Sequence, residues 1–225
     1  MKRLFLLCCC FAAAVPFSAR GESLERALRA VTDSVRATVG VAVVFGDGDT
    51  LAVNGGRCYP MLSVCKFHQA LAVLDRLDRR GLPLTTRIPV RRSDLHPGTW
   101  SPLREACPGG GRFTVAELLA YSVAQSDNNV CDVLFRFLGG TEVVDRYIAG
   151  LGIGETVIVA DEEMMHRHTD NQYLNRTTPL AAVRLLERFR RGELLSAAYG
   201  DFLLETMFRS EEHTSELQSP YGIGG

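Results

Sequence analysis

The segment Met61-Leu62-Ser63-Val64-Cys65-Lys66-Phe67-His68 is the most informative part of this sequence. Apart from Lys2, Lys66 is the only lysine in the chain, although lysine and arginine together number 25. Arginine keeps its proton, whereas a lysine desolvated beside a hydroxyl can act as a base. In a helix that begins at Ser63, both side chains lie on one face, one turn apart. The spacing predicts a serine nucleophile with a lysine partner, and the Ser63 N–H as one arm of an oxyanion hole.

Length and composition indicate a globular chain of one or two domains. The 225 residues are 46% hydrophobic and 23% charged, with a formal net charge of −1, so no basic excess suggests nucleic acid. Within residues 1–21, two cations, Lys2 and Arg3, precede an apolar run that is too short to span a bilayer. This pattern predicts an export signal cleaved after Ala19 or Gly21, and a periplasmic or secreted location. We expect a monomer with no membrane segment after cleavage.

Four cysteines follow the leader, namely Cys58, Cys65, Cys107 and Cys131. An oxidising compartment permits disulfides, and the sequence does not choose among three pairings. Cys65 and Cys131 stand in the two candidate catalytic motifs, and we favour apolar packing over a disulfide for them. No C-x-x-C pair occurs outside the leader, and the histidines lack zinc-site spacing apart from the weak pair His166 and His168. The sequence therefore predicts neither a metal nor a cofactor.

Periodicity predicts an N-terminal hairpin next to a helical block. An amphipathic helix is expected from Ser23 to about Thr38, followed by strands Val39–Phe45 and Thr50–Val53 around a Gly-Asp-Gly-Asp turn. The stretch from Arg91 to Arg112 is predicted to be mostly loop, and Thr114 to Glu117 is a capping box. Further helices are predicted from Ser63 to about Arg80 and near residues 128–138, 141–150, 178–191 and 196–207. Helices packed against a mostly antiparallel sheet, an α/β (α+β) fold, are expected.

A second candidate motif is Gln125-Ser126-Asp127-Asn128-Asn129. Ser, Asp and Asn also serve as helix caps and turn residues, so the segment gains meaning only from its pairing with the Ser63 motif. The Ser126 hydroxyl could carry a proton to a leaving nitrogen. The Asn128 amide could hold both Lys66 and a substrate carbonyl.

With both motifs, the chain from its first helix to about Phe208 resembles a class A serine β-lactamase. Trp100-Ser101-Pro102 resembles the aromatic-Ser-Pro segment of that family, which implies that Trp100 lines the substrate entrance. Residues 160–175 resemble the omega loop of an extended-spectrum and cephalosporin-hydrolysing branch, which has His four residues after the catalytic Glu. The resemblance implies a β-lactamase/D,D-peptidase-like fold, with Glu162 as the base and His166 helping to position a water. Glu163 stays open as an alternative base.

This resemblance implies hydrolysis of a small-molecule β-lactam through an acyl-enzyme on Ser63, and hence antibiotic resistance. Whether Lys66 or a Glu-bound water takes the Ser63 proton is left open. Two other functions also stay open. A penicillin-binding D,D-peptidase shares Ser63, Lys66 and Ser126 but normally lacks the omega-loop base, and a β-lactam sensor acylates without hydrolysis.

The end of the chain departs from the family pattern. It has no Lys-Thr-Gly-like triplet and no late lysine, and residues 209–219 resemble a translated sequencing adapter. We therefore expect residues 22–208 to be a partial catalytic domain without the last strands of its sheet, and residues 209–225 to be a non-native tail. We expect the chain as written to be inactive and insoluble, because an oxyanion donor and part of the sheet would be missing. Penicillin or cephalosporin preference cannot be predicted, since it depends on that sheet edge.

Overall fold

The computed structural model describes residues 17–46 and 48–214. The predicted export signal up to residue 16 and the predicted tail beyond residue 214 lie outside this part of the chain. Within it, no helix combines the length and apolarity needed to cross a bilayer. The α-helices are α1 (Phe17–Ser34), α2 (Cys65–Arg80), α3 (Pro102–Ala106), α4 (Val115–Leu119), α5 (Asn128–Leu138), α6 (Thr141–Gly150), α7 (Glu162–Arg167), α8 (Pro179–Arg190) and α9 (Ala197–Thr214). The strands are β1 (Val41–Val44), β2 (Thr50–Val53), β3 (Tyr59–Pro60), β4 (Arg87–Arg91), β5 (Gly110–Thr114) and β6 (Arg176–Thr177).

Helix α2 forms the centre of the hydrophobic core. Leu71, Leu74 and Leu77 are fully buried, and other helices surround them. A helix that is covered all round cannot shift without disturbing its neighbours, so α2 fixes the residues at its N-terminal end. Gly81 ends the helix in the left-handed conformation, as the sequence predicts. Fully buried residues from the surrounding helices are Leu118, Leu119, Val130, Leu134, Ile148, Leu185 and Leu203.

The strands form three antiparallel pairs. The predicted hairpin is confirmed, since β1 pairs with β2 and places Val41 opposite Val53. Strand β3 pairs with β6, and β4 pairs with β5. Among the described residues after β6, α8 and α9 are the remaining regular elements. The architecture therefore combines a helical core with antiparallel strands, as expected from the sequence.

The prediction of a loop from Arg91 to Arg112 was wrong in part. Helix α3 lies inside this stretch, and β5 begins at Gly110 to pair with β4. Glycine is depleted in strands, which hid β5 in the sequence. The pairing needs glycine at position 110, because its φ is 76° and a Cβ there would lie 2.2 Å from the Val90 carbonyl oxygen.

Two predicted helices have other limits than expected. Helix α1 ends at Ser34 rather than near Thr38, and its buried residue is Thr32. The apolar stripe that suggested an amphipathic helix comprises Leu24, Leu28, Val31 and Val35. Leu28 is half-buried, and the other three are exposed at 38%, 65% and 47%. At the other end, α9 continues past the predicted limit at 207 to Thr214. No Gly or Pro stands between Phe208 and Thr214 to break it.

Candidate active site

Ser63 lies in a 3₁₀ turn, Leu62–Val64, and α2 begins only at Cys65. The prediction of a helix starting at Ser63 was therefore wrong by two residues, although the Lys66 side chain still reaches the serine. Leu62 has a φ of 45°, a left-handed conformation that is rare for a bulky residue. Such strain persists only where surrounding contacts enforce it, and it is frequent at functional sites. The Met61 N–H donates to the Asn175 carbonyl oxygen at 2.9 Å, which fastens the chain before the turn.

Lys66 contacts the four other residues of the candidate site that carry its proposed chemistry. Its side chain is almost completely buried, and its Nζ lies 3.1 Å from the Ser63 Oγ and 3.1 Å from the Glu162 Oε1. The same Nζ lies 3.0 Å from the Ser126 carbonyl oxygen, 3.2 Å from the Ser126 Oγ and 2.6 Å from the Asn128 Oδ1. An ammonium has three N–H bonds, so these five acceptors share its donors. The predicted contact between Lys66 and Ser63 is confirmed by this geometry.

Ser126 faces Ser63 from a strained turn. Its φ is 56°, and its hydroxyl donates to the Ser63 Oγ at 2.8 Å. The neighbouring Asp127 is buried and holds the turn, since its carboxylate accepts from the Leu103 N–H at 2.8 Å and from the Val130 N–H at 2.9 Å. Burial raises the pKa of Asp127 above its ordinary value. This fixed turn brings the second candidate motif against the first.

Asn128 forms hydrogen bonds with both Lys66 and Thr99. Its Oδ1 accepts from Lys66, and its Nδ2 donates to the Thr99 Oγ1 at 2.8 Å. The Lys66 ammonium fixes which end of the amide faces it, because only the carbonyl oxygen of Asn128 can accept an ammonium hydrogen. Asn128 is therefore held by two partners within the predicted site.

Glu162 approaches Lys66 from the opposite side, at the start of α7. Asp132 holds this segment, because its two carboxylate oxygens accept from the Glu162 N–H at 2.7 Å and the Glu163 N–H at 3.0 Å. Burial raises the pKa of Asp132 to about 7, and the nearby Asp161 contributes to the rise. Asn175 adds further bonds, since its Oδ1 accepts from the backbone N–H of two residues that precede the helix. The carboxylate of Glu162 is thus carried by a tightly bonded segment.

Glu163, the alternative base, lies elsewhere. Its carboxylate pairs with Arg167 at 2.6 Å, and 47% of its side chain is exposed. The hydrogen bond from Arg167 lowers the pKa of Glu163 below its ordinary value. The Glu162 side chain is 13% exposed and touches Lys66. The geometry therefore favours Glu162 over Glu163.

A groove of about 220 Å³ joins these groups at the surface. Ser63, Asn128, Glu162 and His166 all line it. A nucleophile, an amide and a carboxylate thus face one space that a small molecule could enter. The remaining lining residues are Leu62, Thr99, Met165 and Gln172.

Comparison with known proteins agrees with this arrangement. The sequence model of the β-lactamase enzyme family matches residues 23–221. A β-lactamase of Bacteroides uniformis is 39% identical, over 87% of this chain and 67% of that protein. The extended-spectrum β-lactamase PER-1 of Pseudomonas aeruginosa is 37% identical, over 80% of this chain and 59% of that protein. The crystal structure of the extended-spectrum β-lactamase TLA-3 superposes with a TM-score of 0.82 at 43% identity, covering 84% of this chain and 70% of that one.

The chain belongs to the class A β-lactamase family. This is a family of enzymes that hydrolyse β-lactams, and the β-lactamase fold predicted from the sequence is confirmed. The chain spans between 59% and 70% of the length of the three relatives described above.

Two residues implied by the resemblance to class A β-lactamases occupy the edge of the site. Trp100 is 56% exposed, and its Nε1 donates to the Gln125 carbonyl oxygen at 2.8 Å, beside the Ser126 turn. It does not belong to the lining of the Ser63 groove, so its role at the substrate entrance stays a prediction. His166 does line the groove with Glu162. Its role in positioning a water also stays a prediction.

Several supporting residues of this β-lactamase site were missed in the sequence. Thr99 orients Asn128, Asp132 holds the Glu162 segment, and Asn175 bonds to the chain on both sides of the site. Their partners are distant in the sequence, so no local spacing signals them. The cysteines Cys58, Cys65, Cys107 and Cys131 are all free thiols.

Proposed function

We propose that this β-lactamase site hydrolyses β-lactams through an acyl-enzyme on Ser63. The observation that carries the proposal is the position of Lys66, whose Nζ contacts the Ser63 and Ser126 hydroxyls and the Glu162 carboxylate at 3.1–3.2 Å. One buried amine thus lies between a nucleophile, a second hydroxyl and a base. This arrangement supports proton transfer in both halves of the reaction.

In acylation, the Ser63 Oγ attacks the lactam carbonyl carbon and the C–N bond breaks. The Ser63 proton passes to Lys66, after that amine has given a proton to Glu162, or passes to Glu162 through a water. The Ser126 hydroxyl then gives its proton to the leaving nitrogen and is reprotonated from Lys66. Glu162 returns its proton to Lys66 across their 3.1 Å contact, which restores the ammonium and the carboxylate. The 2.8 Å bond between the two hydroxyls supports this route, because Ser126 lies where the leaving nitrogen must depart.

In deacylation, Glu162 takes a proton from a water that attacks the ester carbon. The ester C–O bond breaks, and Ser63 leaves as an alcohol after the proton taken by Glu162 reaches its Oγ through Lys66. A carboxylate in the same groove as Ser63 supports this step, and His166 in that groove would help to hold the water. The contact of Glu162 with Lys66 favours hydrolysis over a D,D-peptidase or a non-hydrolysing sensor, since both of those normally work without this base.

Two further properties belong to the proposal. The extended-spectrum names of PER-1 and TLA-3 support an extended range of β-lactam substrates for the whole protein. The cation-led apolar run in residues 1–21 supports a periplasmic or secreted site of action.

Glu162→Ala tests the mechanism most sharply. When penicillin is added to the whole protein, intact-mass spectrometry should find a long-lived acyl adduct on this variant, while the wild-type adduct clears. Glu163→Ala is the matched control and should clear its adduct like the wild type, because Glu163 pairs with Arg167 at the surface. Ser63→Ala should form no adduct. Clearance of the adduct from Glu162→Ala at the wild-type rate would refute the role of Glu162.

A further inference from the structure

Two buried cysteines lie beside the candidate base. Cys65 directly precedes Lys66 on α2, and Cys131 lies on α5. The two Sγ atoms and a carboxylate oxygen of Glu162 all lie within 4.8 Å of one another. Both thiols are completely buried, and Glu162 is the group of the three that reaches the groove. The catalytic mechanism uses neither thiol.

These three groups form a suitable donor set for a thiophilic metal ion. Thiolate sulfur and carboxylate oxygen both bind Zn²⁺, and thiolates also favour other soft ions. A tetrahedral ion with metal–sulfur bonds of about 2.3 Å holds neighbouring sulfurs roughly 3.8 Å apart. Side-chain rotations that bring the donors closer by about 1 Å would therefore complete three ligands. The fourth position would be open to water.

The local charge is balanced both with and without such an ion. Without it, the Lys66 ammonium offsets the Glu162 carboxylate 3.1 Å away, and the thiols carry no charge. With it, two thiolates and one carboxylate supply three negative charges, which offset the divalent ion and the ammonium. A buried site tolerates an ion best when the charges sum to zero, because net charge there is strongly disfavoured.

We propose that Cys65, Cys131 and Glu162 form an inhibitory site that binds a thiophilic divalent cation, either Zn²⁺ or Cd²⁺. The ion would hold the Glu162 carboxylate away from Lys66 and from any attacking water. Its effect on turnover rests on the proposed function, whereas metal binding itself does not. No spacing in the sequence indicates this site, because its donors lie on three separate helices.

The binding step is an exchange of protons for metal. Both S–H bonds break, two metal–sulfur bonds form, and the two protons go to solvent without any change of oxidation state. Binding of the metal ion competes with protonation of both thiols, because the thiolate is the form that binds metal. The affinity should therefore rise with pH. Calorimetry in buffers of different ionisation enthalpy should count about two protons released per ion.

The test is a Cd²⁺ titration of the reduced full chain, followed by the sulfur-to-cadmium charge-transfer absorption in the ultraviolet. We expect one tightly bound ion per chain. Cys65→Ser and Cys131→Ser should each abolish this binding, and Glu162→Gln should weaken it without removing the absorption. Cys58→Ser and Cys107→Ser are the matched controls and should bind like the wild type.

A second measurement needs no substitution. The ¹¹³Cd resonance of the wild-type chain should have the shift of a site with two sulfur ligands. A one-sulfur shift, or binding that survives Cys65→Ser and Cys131→Ser, would overturn the proposal. So would a wild-type chain that takes up no Cd²⁺. Because binding is measured without substrate, a whole protein that binds Cd²⁺ but fails to hydrolyse β-lactams would count against the proposed function alone.

Discussion

The helical core and the N-terminal hairpin region differ in how completely their apolar residues are covered. Around α2, leucines from several helices are fully buried, and the strand pair β4–β5 adds the buried Ile88 and Val90 to the same core. In the hairpin region, which comprises α1, β1 and β2, the residues of β1 are only half-buried and Leu24 and Val31 of α1 are exposed. Leu51 and Val53 of β2 are buried, but they lie outside the core around α2. The two regions do not differ because one is helical and the other is made of strands, since the strand pair β4–β5 is packed into the helical core.

Every charged group of the candidate site lies on the helical side. Lys66, Asp132 and Glu162 are carried by α2, α5 and α7. Their contacts at 2.6–3.2 Å require fixed backbones, and the buried core supplies these. We therefore expect changes in the core to alter both stability and the site, while equal changes at the exposed positions of α1 alter neither by much.

The largest effect on stability is expected from Leu74→Ala. Leu74 is fully buried on α2, so the truncation should cost about 2–5 kcal/mol in the free energy of unfolding. Leu24→Ala is the matched change on the exposed stripe of α1 and should cost less than about 1 kcal/mol. Urea denaturation of both variants measures this difference. Equal losses would contradict the comparison.

A smaller effect is expected from Gly110→Ala. The added Cβ would meet the Val90 carbonyl oxygen and the residue would be held at positive φ, so we expect a loss of roughly 1–3 kcal/mol in the free energy of unfolding. Gly109→Ala is the control, because its Cβ would meet nothing within 4 Å and its φ is not positive. Thermal melts should separate the two variants. A neutral Gly110→Ala would show that β4–β5 is not held as tightly as the core.

The smallest effect concerns the pH dependence of stability. Because burial raises the pKa of Asp132 from 3.8 to about 7, the folded state favours the protonated carboxyl. The contribution of Asp132 to stability is fully present below about pH 4 and is lost as the pH rises to about 7. Asp132→Asn removes this titration and also one of the two acceptors for the backbone N–H groups of Glu162 and Glu163. Asp132→Asn should therefore be less stable than the wild type at low pH, and it should lose less stability than the wild type when the pH is raised to about 7.

Denaturation curves at several pH values between 4 and 7 would measure this slope. Glu163→Gln is the control, because Glu163 lies at the surface and its pKa is shifted in the opposite direction. Parallel curves for the wild type and Asp132→Asn would contradict the role given to burial at this carboxyl.

The groups that touch Ser63 could be predicted from sequence because their chemistry depends on local spacing. Lys66 follows Ser63 by one turn, and Ser126 and Asn128 share one short turn. Glu162 was assigned through the resemblance, and its contact with Lys66 agrees with that assignment. The groups that hold these residues in place, such as Thr99 and Asp132, bond across long stretches of chain, so spacing does not predict them.

The errors in the predicted fold have similar causes. The pairing of Gly110 with the chain near Val90 overrides the low strand propensity of glycine. The stripe that includes Leu24 and Val31 has helical spacing, which predicts a helix correctly, but spacing alone does not show what covers the stripe. The short distance between the free thiols of Cys65 and Cys131 likewise depends on how α2 packs against α5, which spacing does not predict.

Labelling of Ser63 by penicillin in Lys66→Arg tests the central claim most directly. Arginine keeps a positive charge at this position but cannot give up its proton to act as a base. We expect intact-mass spectrometry to find acylation slowed by at least about 100-fold, while circular dichroism shows a folded chain. Labelling of Lys66→Arg at the wild-type rate would contradict the account.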